Sequence, residues 1–125
     1  MCPQGRGVCG LTEHSWDEAT TPMMVMAGSK DGGVLGQSPR WRMEPFVYSP
    51  RGDKYLVYIK GAGHSAFFPI AESGIATDDE MHNWIKTAST LFWDSYLKDE
   101  GSAKTILGSN ALQEASQGAV RLSAR

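Results

Sequence analysis

Shortages define these 125 residues as much as anything present in them. The formal net charge is only -2, and no cluster of lysine and arginine disturbs it. The basic surface of a general nucleic-acid binder is therefore missing, and no nucleic acid is expected as a partner. No stretch approaches the roughly 18 to 20 uninterrupted apolar residues of a spanning helix, so no membrane span is expected. The opening Met1-Cys2-Pro3-Gln4-Gly5-Arg6-Gly7 has no charged start followed by an apolar segment, and does not read as a signal peptide. The compartment stays open. There are only two cysteines, Cys2 and Cys9, at a spacing that fits no zinc pattern and builds no disulfide framework. They read as free or buried thiols, with a single Cys2–Cys9 bridge as the alternative. Three scattered histidines without a cysteine or carboxylate cluster give no metal site. No lysine-serine or lysine-threonine pair follows Gly28, Gly32, Gly33 and Gly36, so they form no phosphate loop and imply no nucleotide cofactor.

What is present is an ordinary globular composition, 41% hydrophobic and 21% charged, suited to one domain or part of one. Residues 1–21 are rich in glycine and polar side chains and read as loop, with a short turn within Leu11 to Asp17. Met23-Met24-Val25-Met26-Ala27 is a continuous apolar run closed by Gly28-Ser29-Lys30-Asp31-Gly32-Gly33. A short run without polar alternation suits a central parallel strand covered on both faces. Ser38-Pro39 opens a helix through Trp41 and Met43 that bends or ends near Pro45. Ser49-Pro50-Arg51-Gly52-Asp53 is a turn; its Arg-Gly-Asp matches an integrin-binding tripeptide, but the turn explains it. The second strand is Tyr55-Leu56-Val57-Tyr58-Ile59, which ends at Gly61-Ala62-Gly63-His64. Thr77-Asp78-Asp79-Glu80 is a capping box before a helix with Met81, Trp84, Ile85, Ala88, Leu91 and Phe92 at helical spacing. A weaker helix is expected within residues 110–122.

Strand, helix, strand, helix is the order of an α/β sheet, whose functional residues sit just beyond the carboxyl ends of strands. Asp31 and His64 both occupy that position. A carboxylate there can fix the tautomer of the imidazole and leave its other nitrogen free as a general base. The bland alternatives are a turn-forming Asp31 and a loop His64. Phe67 and Phe68 are candidates for an acyl pocket beside His64 or for plain packing, and His14 and His82 read as surface residues.

Here the residues resemble a known family. Pro22 to Asp31 is similar to the acid-bearing strand and turn of α/β-hydrolases, and Tyr55 to Phe67, with its Gly-Ala-Gly-His step, to their histidine strand and loop. Cys2-Pro3-Gln4-Gly5 looks like the end of a preceding strand in enzymes related to dienelactone hydrolases and polyester-cleaving esterases, and Met81 to Leu97 resembles the last large helix. The resemblance implies that residues 1–125 are one partial α/β-hydrolase domain, the C-terminal part of a doubly wound, mostly parallel sheet. It implies hydrolysis of a carboxylic ester or similar acyl bond, in a small-molecule or polymeric substrate, with Asp31 and His64 as catalytic acid and histidine. No metal or organic cofactor is implied.

Two elements of the family pattern are missing. Its nucleophile lies in a Gly-x-Ser-x-Gly elbow before the acid, and no such pentapeptide occurs here. Gly36-Gln37-Ser38-Pro39-Arg40 and Gly63-His64-Ser65-Ala66-Phe67 both lack the final glycine. The glycine-rich oxyanion loop has no counterpart either. Two rivals stay open: a non-catalytic binding or assembly module, and a cysteine hydrolase using Cys2 or Cys9. A sheet lacking its upstream strands also predicts association through an exposed edge near Met23 to Met26.

Overall fold

The computed structural model describes residues 3–68 and 79–125. Among the described residues, three strands form one small mixed sheet: β1 (Met23–Gly28), β2 (Lys54–Ile59) and β3 (Val120–Ala124), in the order β1-β2-β3. β1 and β2 run parallel, with Met23 opposite Lys54 and Gly28 opposite Ile59. β3 lies antiparallel on the other side of β2, with Leu122 opposite Val57. This is mixed α/β architecture, but it is not a complete doubly wound sheet, and β1 is an edge strand.

Both faces of the β1–β2 pair are covered, which explains why these strands carry no polar alternation. Period-two alternation sends Val25, Ala27 and Leu56 to one face, where they pack with Phe46. The opposite face takes Met26, Val57 and Ile59, packed with Ala62, Ala88, Leu112 and Val120. Burying each large aliphatic side chain stabilises the fold by about 1.5–3 kcal/mol. The first face is covered by the crossover, a 3-10 helix over Pro39–Met43 running into α1 (Glu44–Tyr48). The second is covered by α2 (Asp79–Leu97), α3 (Gly101–Leu107) and α4 (Ala111–Ala115). In α2, Ala88 and Phe92 are buried, as their spacing predicts. Thr77 and Asp78 of the expected capping box lie outside the described residues, as does Pro69.

The 3-10 helix opened by Ser38-Pro39 ends at Met43, near Pro45 as expected, and Pro45 itself stands in the first turn of α1, where its missing N–H costs nothing. Other expectations need correction. The helix expected within residues 110–122 is there, as Ala111–Ala115, but it is short, because Gln117 and Gly118 take positive φ (51° and 83°) and turn the chain back. Val120, Arg121 and Leu122 then alternate as an edge strand. Of Cys2-Pro3-Gln4-Gly5, Cys2 is outside the described residues and the other three are in no strand. Their backbone is held instead against the crossover. Gly5 sits so close to Trp41 that a Cβ would strike its carbonyl oxygen, and the Arg6 N–H donates to Glu44 Oε2 at 2.7 Å. The turn expected within Leu11 to Asp17 is a 3-10 helix over Glu13–Trp16, capped by Thr12. Cys9 is free and exposed. His14 lies on the surface, whereas His82 is partly buried and its Nδ1 has no hydrogen-bond partner among the described residues. No helix among the described residues is long and apolar enough to cross a membrane.

Candidate active site

The parallel register decides where Asp31 and His64 go. Gly28 and Ile59 are level at the carboxyl ends of β1 and β2, so the two following turns leave the sheet side by side. Backbone hydrogen bonds stitch them together: Ser29 N–H to the Ile59 carbonyl at 3.0 Å, and Lys30 N–H to the Ala62 carbonyl at 2.9 Å. The Gly61 N–H adds a third bond, to Ser29 Oγ at 2.7 Å. Glycine is required twice. A Cβ on Gly28 would collide with the Ala62 carbonyl oxygen, and Gly61 takes φ +84°, which L-residues rarely adopt.

Within this frame His64 opens a 3-10 helix, His64–Phe67, and its Nδ1 lies 3.0 Å from Asp31 Oδ1. That is hydrogen-bond distance. The two partners differ in exposure: Asp31 is 1% exposed, while the His64 side chain is 48% exposed. A buried carboxylate therefore holds one edge of a ring whose remainder faces outward. With Asp31 accepting from Nδ1–H, Nε2 is the basic nitrogen. Phe68 packs edge-to-face on the imidazole, with centroids 5.0 Å apart, and restricts its rotation.

His64 lines a cavity of about 780 Å³ that follows the free edge of β1. Met23, Met24, Phe67, Phe68, Ile85 and Trp93 make its walls largely apolar. Ser89 also lines it, but its hydroxyl donates to the carbonyls of Ile85 (2.8 Å) and Lys86 (3.0 Å). Among the described residues, no serine hydroxyl or cysteine thiol is hydrogen-bonded to His64. Nor does any group of three His, Cys, Asp or Glu side chains there offer a metal site.

The structure thus brings together both residues singled out in the sequence and places Phe67 and Phe68 beside them. It adds one that sequence reasoning missed. Arg42 is only 6% exposed, and its Nε lies 3.2 Å from the same Asp31 Oδ1. This contact is an ion pair rather than a hydrogen bond, because the Nε–H does not point along it. The terminal nitrogens donate to the Pro3 carbonyl at 3.1 Å and, at a long 3.4 Å, to that of Gly32. No signal in Pro39-Arg40-Trp41-Arg42 distinguishes the buried arginine from Arg40, which is exposed.

No known family profile, curated protein or solved structure matches this chain.

Proposed function

We propose that this chain is the acid-and-histidine part of an α/β-hydrolase acting on a carboxylic ester or a similar acyl bond. The observation that carries this reading is the 3.0 Å contact between Asp31 and His64 at the carboxyl ends of adjacent parallel strands, beside an apolar cavity. In the reaction, a serine hydroxyl outside residues 1–125 attacks the acyl carbonyl while Nε2 of His64 takes its proton. The imidazolium, oriented and stabilised by Asp31, then protonates the leaving alcohol. Water repeats the sequence on the acyl-enzyme and releases the acid. Apolar walls suit an acyl or aryl group, from a small molecule or a polymer end.

The same reading treats the sheet as the last strands of a larger, mostly parallel, doubly wound one. Upstream strands would add at the free edge of β1. Supporting this are the apolar cavity along that edge and the exposure of Val34 (99%) and Leu35 (78%) on the turn beside it. One observation favours a second reading, a non-catalytic binding module: no hydroxyl or thiol among the described residues is bonded to His64.

The test is to express the chain continuous with its upstream reading frame and assay p-nitrophenyl esters. We expect saturable turnover, abolished by a fluorophosphonate that labels a serine in a Gly-x-Ser-x-Gly elbow outside residues 1–125. No turnover, or a label on a serine within these residues, sinks the reading.

A further inference from the structure

Asp31 is a carboxylate shut away from water, and such a charge persists only where other charges and donors compensate it. Arg42 supplies a full positive charge at 3.2 Å, on the oxygen that also receives His64. Its guanidinium ties the crossover to two other segments, reaching the Pro3 carbonyl on one and the Gly32 carbonyl and Asp31 carboxylate on the other. A planar fork of donors can do this; a lysine ammonium would keep the charge beside Asp31 but not the contacts to both carbonyls.

We propose that Arg42 is a positioning residue for the Asp31–His64 pair, holding the carboxylate in place and drawing off part of its charge, so that His64 gives up its proton more readily. The inference rests on the reading of His64 as a general base. Sharing Oδ1 between two cations weakens the pull that Asp31 exerts on an imidazolium, and the nearby guanidinium repels that imidazolium directly. Among the described residues, Arg42 and His64 are the only charged or titratable side chains in the cavity lining. Of the other elements, the strand exits carry the exposed Lys30 and Lys60, and α2, whose Met81 methyl lies 3.4 Å from where a Cβ on Gly61 would stand, carries Glu80, His82 and Lys86. Among the described residues, no hydrogen bond or ion pair links any of these to His64.

The test reads proton binding by His64, not turnover. Diethyl pyrocarbonate acylates neutral imidazole, so modification of His64, mapped by peptide mass spectrometry across pH in dilute solution, reports its titration, with His14 and His82 as internal references. In Arg42→Gln the midpoint should rise by about one pH unit, a tenfold tighter hold on the proton. Arg42→Lys, which keeps the charge, should return most of the way. An unmoved midpoint in a folded Arg42→Gln protein overturns the proposal, and so does an Arg42→Lys protein that behaves like Arg42→Gln. Should Arg42→Gln not fold, the unaltered protein extended by its upstream reading frame decides by ¹⁵N NMR: the Arg42 Nε resonance must follow the His64 titration, and a flat response overturns the proposal. No ester is involved, so a failed hydrolase assay with a moved midpoint removes the enzymatic reading and leaves the role of Arg42 intact.

Discussion

Asp31 and Arg42 form a buried ion pair, so their contribution is measured by what happens when one of them is removed. Asp31 keeps His64 and Arg42 keeps the Pro3 carbonyl, but each loses a full opposite charge in a site with almost no access to water, which costs up to about 3–5 kcal/mol. Asp31→Ala and Arg42→Ala should each lower the urea-unfolding free energy by that amount. The double variant should lose less than the two added together, because both remove the same interaction. Single losses below about 1 kcal/mol would show that water reaches the pair. At this scale the sequence was legible where a residue follows a strand and precedes a glycine, as Asp31 does. It was opaque for Arg42, whose role depends on a distance set by the crossover rather than on its neighbours in the chain.

Among the elements, β1, β2 and α2 were readable because each carries one uninterrupted period, two apolar strands and one amphipathic stripe. β3 was not, since five residues with only Val120 and Leu122 turned inward give too short an alternation to outweigh a helical neighbour. Pro45 marked the end of the helix opened at Pro39, but not the start of α1 that it occupies, because proline at a helix start and proline after a helix end look alike in sequence. The tight exit of β1 gives a prediction here. Gly28→Ala forces a methyl group against the Ala62 carbonyl, and should cost about 1–3 kcal/mol in thermal or chemical unfolding. An unchanged midpoint would mean that the two turns are not pressed together.

The N-terminal segment supplies a pH-dependent element. Burial pushes the Glu44 carboxyl up, but hydrogen bonds from the Arg6 side chain and backbone more than offset this and leave it below its ordinary value. A carboxyl that binds protons less readily folded than unfolded stabilises the fold above its unfolded value, and the gain is lost as pH falls through the folded one. Acidification below the ordinary carboxylate range should therefore release the residues around Arg6 to proteolysis before the sheet unfolds. In Glu44→Gln the cleavage rate should be high already at neutral pH and change little with acid. A rate that still climbs on acidification would assign the effect elsewhere.

For the whole molecule, the free edge of β1 is the feature with the largest consequence. Among the described residues no strand pairs with that edge, and apolar side chains line the cavity beside it, a combination that recruits further strands. The chain by itself should run as oligomers or aggregate in size-exclusion chromatography, and should hydrolyse p-nitrophenyl esters no faster than an imidazole control. A sharp, stable monomer peak would favour the binding module. Composition and motif spacing indicated an α/β layer arrangement with an acid and a histidine at one sheet edge. They did not indicate how few strands the sheet holds or that its last one runs antiparallel, because pairing direction is set by tertiary packing.

The central claim is that Asp31 acts through His64 on a serine outside these residues, and turnover by an Asp31→Asn variant of the upstream-extended protein tests it most directly. Asparagine keeps the size of the side chain but disturbs the tautomer that makes Nε2 basic. The account predicts a fall in kcat of about 10⁴-fold with KM little changed, in a protein that still folds. A kcat within a few-fold of the unaltered protein would contradict it.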